Sequence, residues 1–343
     1  MSRQYRLVAL PGEGIGPEVV QASLDVLRYL AEAENISIKI DHGLIGEPAL
    51  DTLGSYFPTQ TAQLCQGADG ILLGAVTKGG ILELRQHFDF FVNLRPVRVF
   101  QSLIDRSCLQ PDKVNGLDIL FVRELVSGIY FGPSGRAEDE SGAYGYHTMH
   151  YHDWEIRRIA QVALKHAQAR QCQLTVAHKE NALPHIHWSR IVQEEATSFP
   201  NVMVEAMLVD NLAMQLVRNP LAFDVILAGN LFGDILSDIG GALIGSIGLL
   251  ASASLNADGF GLYEAIHGTA PDIAGKGIAN PLGTLGAVAL MLQQWGEANA
   301  AKKLIEAQEK VLAQGYYTAD LKPQSGGILV GTAALTDLLI QAL

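Results

Sequence analysis

The chain has 343 residues, of which 48% are hydrophobic and 17% are charged, and its formal net charge is −12. This length and composition allow a large hydrophobic core and predict about two domains. The negative charge argues against nucleic acids and anionic membranes as partners. Because the first apolar run is too short for a signal peptide, and the longest low-charge stretch is rich in Gly, Ser and Ala, we predict a cytoplasmic protein without a membrane span.

The first segment, "LPGEGIGPEVV", follows a short apolar run and has glycines at alternate positions, Gly12, Gly14 and Gly16. A dinucleotide-binding fingerprint would need its third glycine at position 17, which is Pro17, and an acidic residue about 20 residues later. Residues 37–40 contain no acid. Proline is favoured in the first turn of a helix, where its missing N–H costs nothing. The segment therefore predicts a strand, a tight loop and a helix, but not a Rossmann fingerprint.

Farther along, four apolar, β-rich segments each end abruptly in polar residues, and helix-like stretches separate them. The segments are "DILFVRE", "QLTVAHKEN", "VMVEAMLVDN" and "FDVILAGN", and their polar ends include Arg123, Lys179, Asp210 and Asn230. Alternating strands and helices predict an α/β fold, whose ligands bind at the carboxyl ends of the strands. We expect the four side chains to converge on one crevice; the alternative is that each is a solvated strand end.

Asp234 and Asp238 are four residues apart in "NLFGDILSDIGGAL", so a helix would place both carboxylates on one face. Two adjacent carboxylates repel each other unless a cation lies between them, and oxygen ligands suit Mg²⁺ or Mn²⁺. The alternative is a hydrated helix face, but the flanking residues are apolar. The pattern therefore predicts a divalent-metal site, for which Asp210 is available as a third ligand.

Arginines supply the positive half of the predicted site. Arg85, Arg95 and Arg98 lie in "ELRQHFDFFVNLRPVRVF", and Arg123 follows. Guanidinium groups bind carboxylates in a bidentate manner, so several arginines beside a metal and a lysine suit a small polycarboxylate. One arginine could equally be a surface ion-pair partner, and Arg98 is the weakest candidate.

These residues lie in ordered motifs that together resemble the β-decarboxylating (isocitrate/isopropylmalate) dehydrogenase family, above all its isopropylmalate dehydrogenase branch. The motifs include "LPGEGIGPEV", "NLRPVRVF", "VRELVSGIYFG", "FDVILAGNLFGDILSD" and "GLYEAIHGTAPDIAGKGIANPLGTL", and they run from about residue 5 to about residue 335. The resemblance implies a non-Rossmann α/β fold of two domains that share one large mixed sheet. Residues 1–99 and 246–343 would form a cofactor-side domain, and residues 100–245 a domain for substrate, metal and dimerisation.

The resemblance also implies a homodimer whose active sites borrow residues from the partner subunit. Arg85, Arg95 and Arg123 would hold the substrate's carboxylates. The metal ligands would be Asp234 and Asp238, with Asp210 from the neighbouring subunit. Lys179, also from the neighbour, would help to take the hydroxyl proton, and Tyr130 would protonate the enol carbon.

For the cofactor, the resemblance implies NAD. The matching adenosine-binding positions are His267, Gly268, Ala270, Asp272 and Asn280. The Gly12–Gly16 loop would line the cofactor cleft. Ile81 and Leu82 would line the pocket for the substituent at C3 of the substrate.

The implied reaction is an NAD-dependent, metal-dependent oxidative decarboxylation of a 3-substituted malate. Reactions of this type serve amino-acid biosynthesis. A 3-isopropylmalate-like substrate is expected. 3-Benzylmalate, from a homophenylalanine-type pathway, is the alternative, and tartrate and homoisocitrate are less favoured. The chain departs from the family pattern before Arg85, where the segment is short and Lys78 occupies the position of a glutamate. Because Gly79 and Gly80 lack side chains, we expect room for a group larger than isopropyl.

Overall fold

A computed structural model describes residues 4–321 and 327–343 of the chain, which divide into two compact units. Unit 1 is formed by the described residues of Met1–Phe90, Arg98–Gly116 and Gly240–Leu343, and unit 2 by Phe91–Val97 and Leu117–Ile239. Among the described residues, every helix is too short or too polar to cross a membrane.

The strands are β1 (Gln4–Gly12), β2 (Ser37–His42), β3 (Gly70–Ala75), β4 (Val92–Arg98), β5 (Asp118–Glu124), β6 (Ser134–Asp139), β7 (Gly142–His147), β8 (Gln173–His178), β9 (Met203–Leu208), β10 (Val225–Ala228), β11 (Ala251–Leu255), β12 (Gly261–Ala265), β13 (Tyr316–Tyr317) and β14 (Ile328–Leu329). The helices are α1 (Gly16–Ala33), α2 (Glu47–Leu53), α3 (Thr59–Cys65), α4 (Ile81–His87), α5 (Pro111–Val114), α6 (Asp153–Gln168), α7 (Trp188–Ala196), α8 (Val209–Arg218), α9 (Asn230–Ile244), α10 (Leu282–Gln294), α11 (Ala298–Ala313) and α12 (Thr332–Ala342).

Unit 1 is built on five strands in the order β2-β1-β3-β12-β11. β1 is parallel to β2 and β3, β12 is parallel to β3, and β11 is antiparallel to β12. Helix α1 packs on β1 and β3, and α10 packs on β11 and β12. Val8, Leu10, Ile71 and Leu73 are fully buried in the core of this unit. The uninterrupted apolar runs of β1 and β3 are the pattern expected of buried parallel strands.

Unit 2 contains five strands in the order β4-β5-β10-β8-β9. The pairs β5–β10, β10–β8 and β8–β9 are parallel, and α6 packs on β5, β8 and β10. The four β-rich segments of the sequence are thus adjacent parallel strands, so their carboxyl ends lie at one edge of the unit. The predicted α/β fold with a large mixed sheet is confirmed.

The alternate glycines after β1 allow backbone segments of unit 1 to approach one another. Gly12 and Gly14 have φ values of +69° and +58°, which favour glycine. A Cβ at Gly12 would overlap the carbonyl oxygen of Ala75 on β3, and one at Gly14 would overlap that of Thr269. The backbone N–H of Ile15 donates a hydrogen bond to the same Thr269 oxygen, at 2.9 Å. Within unit 1 the loop therefore acts as a packing contact for the segment that follows β12.

We expect Gly14→Ala to destabilise the protein more than Gly54→Ala. Both glycines have positive φ, +58° and +75°, so each alanine pays a conformational cost of about 1–2 kcal/mol. A Cβ at Gly54 would have no neighbour within 4 Å, whereas one at Gly14 meets backbone. Overpacking should add roughly 1–3 kcal/mol at position 14 only. Urea denaturation followed by circular dichroism measures both losses, and equal losses would contradict the packing role of Gly14.

Candidate active site

Two arginines and two aspartates form a compact group in unit 2, which we call the acid–arginine cluster: Arg95, Arg123, Asp234 and Asp238. The Arg123 Nη1 atom is 2.5 Å from Asp234 Oδ1, and Arg95 Nη1 is 3.2 Å from the same oxygen. Arg95 Nη1 also lies 3.5 Å from Asp238 Oδ1. The arginine side chains are only 6% and 3% exposed, whereas the aspartates are 36% and 50% exposed. The guanidinium groups are therefore buried behind carboxylates that face outward.

The helical spacing of the two acids explains this geometry. Asp234 and Asp238 are one turn apart on α9, and Arg95 Nη1 approaches one oxygen of each. Burial raises the pKa of Asp238 above its ordinary value, although the Arg95 guanidinium acts to lower it. Two guanidinium groups balance two carboxylates, so the cluster carries no net charge.

The donor set of the cluster fits a hard divalent cation. Mg²⁺ usually binds one or two protein carboxylates and completes its shell with water and substrate oxygens. Asp234 and Asp238 offer two such carboxylates on one helix face, both half-exposed. A cation bound there would replace the arginines as the partner of these acids, and the guanidinium groups would become available to anionic ligands.

Tyr130 lies beside the cluster at the end of a short turn, Gly128–Tyr130. Its hydroxyl donates a hydrogen bond to Asp234 Oδ2 at 3.3 Å. Burial, and secondarily the Asp234 carboxylate, raises the pKa of the Tyr130 phenol. A phenol that stays protonated at neutral pH is a suitable proton donor.

Lys179 and Asp210 form a second, separate group in unit 2. Lys179 follows β8, Asp210 lies in the first turn of α8, and Lys179 Nζ is 2.9 Å from Asp210 Oδ2. The hydrogen bond from Lys179 lowers the pKa of Asp210. Within residues 4–321 and 327–343 there is no group of three or more His, Cys, Asp or Glu side chains that could hold a metal. One chain therefore does not bring Asp210 to Asp234 and Asp238 as a three-acid site.

Arg85, Ile81 and Leu82 lie on α4 of unit 1. Arg85 Nη2 is 2.8 Å from Glu264 Oε1, and both side chains are largely buried. The Arg85 Nε atom is buried and has no hydrogen-bond partner among the described residues. Ile81 packs against the core of the unit, whereas Leu82 is 40% exposed. Of the two residues predicted to line a pocket, Leu82 is thus the more exposed, and Ile81 is partly buried.

The short segment before α4 is less open than expected. A Cβ at Gly79 would lie 2.6 Å from the Cγ atom of Tyr56, and one at Gly80 would lie 2.7 Å from the Tyr56 carbonyl oxygen. Lys78 Nζ forms an ion pair with Glu47 Oε1 at 2.8 Å. Because Tyr56 occupies the space beside these glycines, their missing side chains do not by themselves create room for a larger substituent.

The predicted adenosine-binding residues lie in the segment after β12, which packs on the start of α1. Ala270, Ile273 and Ala274 contact the small buried cluster of Ile15, Val19 and Ala279. The Glu18 carboxylate accepts a hydrogen bond from the backbone N–H of Ala279 at 2.9 Å. These contacts fix the backbone of the segment from both of its ends.

The polar groups of this segment fit a nucleotide ligand. The Nε2 atom of His267 is buried without a hydrogen-bond partner among the described residues, and burial lowers the pKa of this imidazole. Asn280 Nδ2 donates to Asp320 Oδ2 at 2.9 Å. Ala270 has a φ of +40°, an uncommon conformation for a residue with a Cβ. Gly268 and Asp272 are exposed.

Two acidic residues that pair with predicted site residues were not predicted from the sequence. Glu264 holds Arg85, and Asp320 holds Asn280. Each acid is distant in sequence from its partner. A buried acid inside the strand "GLYEA" is an unusual feature that indicates a buried cationic partner for Glu264, whereas no sequence signal distinguishes Asp320.

The chain matches the isocitrate/isopropylmalate dehydrogenase family over residues 6–339. It is 45% identical to 3-isopropylmalate dehydrogenase of Methylococcus capsulatus, with 98% of each chain covered. It is 43% identical to 3-isopropylmalate dehydrogenase of Aquifex aeolicus, with coverage of 99% and 98%. The crystal structure of isocitrate dehydrogenase from Methylococcus capsulatus superposes with a TM-score of 0.88 at 30% identity, covering 98% of this chain and 99% of that one.

One buried acid beside the cluster is the basis of a pH prediction. Glu124 follows Arg123 on β5 and is fully buried. Its carboxyl accepts hydrogen bonds from the backbone N–H groups of Val126 and Ser127, at 3.1 and 3.0 Å. Desolvation outweighs these bonds and raises the pKa of Glu124 to about 7.

Because the folded-state pKa lies above the unfolded value, Glu124 favours folding fully at low pH, and this contribution is lost as pH rises to about 7. The loss amounts to something on the order of 3 kcal/mol. We expect Glu124→Gln, which cannot ionise, to show a smaller decline in stability between pH 4.5 and 7 than the wild type. Urea denaturation at a series of pH values measures this, and parallel pH profiles would contradict it.

Proposed function

Because the chain belongs to the isocitrate/isopropylmalate dehydrogenase family and is therefore a dehydrogenase, we propose that it oxidatively decarboxylates a 3-isopropylmalate-like substrate with NAD⁺ and a divalent cation. The observation that carries the proposal is the acid–arginine cluster, in which two outward-facing carboxylates cover two buried guanidinium groups. A 3-substituted malate has the complementary groups, namely two carboxylates and a C2 hydroxyl.

Arg95 and Arg123 would bind the substrate's carboxylates once Asp234 and Asp238 hold a cation. Buried guanidinium groups suit this task because they remain charged and pair with carboxylates in a fixed geometry. A bound Mg²⁺ or Mn²⁺ would polarise the C2 oxygen and stabilise negative charge that develops there. Arg85 of unit 1, whose Nε atom is buried without a partner among the described residues, is the third proposed carboxylate ligand.

Two side chains of unit 2 would move protons. Lys179 would accept the proton of the C2 hydroxyl while NAD⁺ takes the hydride. Loss of CO₂ from the resulting β-keto acid leaves an enol, and Tyr130 would protonate its C3 carbon. The phenol of Tyr130 lies beside Asp234, and its raised pKa keeps the proton available.

We propose that the active enzyme is a homodimer with shared sites. In one chain Lys179 and Asp210 pair with each other, apart from the acid–arginine cluster. A second copy would bring its Lys179 and Asp210 to that cluster. Unit 2 also exposes large apolar side chains on β9, α8 and α9, as the surface of an obligate dimer would: Met203, Met214, Val217 and Ile235.

The adenosine segment supports NAD⁺ rather than NADP⁺ as the cofactor. His267 offers a buried ring nitrogen without a partner among the described residues, and Asn280 and Asp272 are polar groups on the same segment. A carboxylate such as Asp272 can accept hydrogen bonds from a ribose 2′-hydroxyl and repels a 2′-phosphate.

The relatives favour isopropyl as the C3 substituent. Leu82 offers an apolar surface, beside which a third carboxylate or a hydroxyl would be left unpaired. The structure gives no reason to expect extra room for a benzyl group beside Gly79, because Tyr56 fills the space there.

Initial rates across a panel of substrates test the proposal. With NAD⁺ and Mg²⁺ we expect 3-isopropylmalate to exceed isocitrate and tartrate in kcat/KM by more than about tenfold, since a mismatched polar group is costly in an apolar pocket. 3-Benzylmalate serves as the size probe.

Chelation should abolish turnover, and Mg²⁺ or Mn²⁺ should restore it. Preference for isocitrate or tartrate would refute the substrate assignment, and equal kcat/KM with NADP⁺ would refute the role of Asp272.

Complementation between inactive variants tests the shared sites. Lys179→Met and Asp234→Asn should each lower kcat by about 10²–10⁴, the usual contribution of such groups. When the two variants are co-expressed, a mixed dimer has one site with both substitutions and one intact site. Activity should then recover to about a quarter of wild type, because half of the dimers are mixed. No recovery in mixed dimers isolated with two affinity tags would mean that each chain builds its own site.

A further inference from the structure

Asn230 is an almost completely buried residue, 1% exposed, at the first position of α9. Its Oδ1 atom accepts hydrogen bonds from Arg123, at 3.2 Å from Nε and 2.8 Å from Nη2. Its Nδ2 atom donates to the carbonyl oxygens of Leu125 and Ser127, both at 3.0 Å. All four hydrogen-bonding sites of the side-chain amide are thus occupied.

The backbone of Asn230 is fixed as well. Its N–H donates to the Tyr151 hydroxyl at 2.8 Å. That hydroxyl is packed between two glycines, since a Cβ at Gly128 would overlap it and one at Gly229 would lie 2.9 Å from it. Tyr151 therefore holds the start of α9 and the segment around Gly128 at a fixed separation.

Three parts of the proposed site consequently meet at one residue. The first is the guanidinium of Arg123, whose Nε and Nη2 atoms face Asn230 while Nη1 faces Asp234. The second is the Leu125–Tyr130 segment, which ends in the proposed proton donor. The third is α9 itself, which carries the two acids of the cluster.

We propose that Asn230 is a positioning residue that sets the orientation of the Arg123 guanidinium through Oδ1 and the placement of the Tyr130 segment through Nδ2. The inference rests on the proposed function, because it assigns Arg123 to substrate binding and Tyr130 to protonation of C3. If the amide had only a structural role, substitutions of Asn230 would change stability alone. If Asn230 is a positioning residue, different substitutions change substrate binding and protonation separately.

Two substitutions separate the two halves of this role. Asn230→Asp keeps an oxygen acceptor for Arg123 but places an oxygen against the carbonyls of Leu125 and Ser127. Asn230→Ala removes both interactions. Asp224→Asn is the matched control, since Asp224 is equally buried at the opposite end of β10 and pairs with Arg170 at 2.6 Å, away from the cluster.

For Asn230→Ala we expect the KM of the malate substrate to rise about 10- to 100-fold, the usual worth of hydrogen bonds to a charged group. For Asn230→Asp we expect a small change in this KM and a fall in kcat of about tenfold or more. In D₂O the product should then lose stereospecific deuteration at C3, because solvent replaces Tyr130 as the donor. The KM for NAD⁺ should stay unchanged in both variants, and Asp224→Asn should lower stability without altering either KM.

Unchanged substrate KM in Asn230→Ala, or the same kinetic pattern in Asp224→Asn, would overturn the inference. If Asn230→Ala does not fold, the variants Asn230→Asp and Tyr151→Phe test the inference instead. A normal kcat together with stereospecific deuteration in both variants would overturn the inference. If the wild type turns over no malate, the proposed function fails. A crystal structure of Asn230→Asp then still tests the positioning role, since Arg123 should keep its place and the Leu125–Tyr130 segment should shift.

Discussion

The burial of the Arg123 guanidinium is the constraint on which the rest of the candidate site depends. A cation removed from water is costly unless every donor finds an acceptor. Each of the three guanidinium nitrogens of Arg123 has an acceptor, since Nη1 faces Asp234 and Nε and Nη2 donate to the Asn230 amide oxygen. Both partners lie on α9, and Arg123 lies on β5, which pairs with the strand that leads into this helix. Satisfying one buried charge therefore fixes strand, helix and acids together.

The charge balance of the cluster is compatible both with a stable fold and with the ligand binding that we propose for it. Two guanidinium groups and two carboxylates neutralise each other within unit 2, so the folded chain carries no uncompensated charge there. A bound divalent cation would pair with the two aspartates, and the carboxylates of a bound dicarboxylate would pair with the two arginines. Each charged side chain would thus keep a partner of opposite charge. In the proposed function, ligands would therefore replace these partners at little cost in unpaired charge.

The segment after β12, which carries the proposed adenosine-binding residues, is positioned in a different way. It is held by backbone contacts to the loop after β1, where Gly14 lets the chain approach Thr269, and by the Glu18 carboxylate at Ala279. A glycine loop that at first resembles a phosphate cradle is in this fold a support for another loop. Local strain remains at Ala270, whose left-handed backbone is the kind of conformation that surrounding contacts must enforce.

The sequence by itself determined the α/β class, the strands whose carboxyl ends lie within two residues of Arg123, Lys179, Asp210 and Asn230, and the spacing of two acids one helical turn apart. These follow from periodicity and from abrupt changes of polarity, which are local properties. Only the tertiary structure decided that Glu264 holds Arg85, that Tyr56 fills the space at Gly79, and that Asn230 uses every donor and acceptor of its amide. Those contacts join residues far apart in the chain, and no local pattern specifies which distant side chain will satisfy a buried polar group.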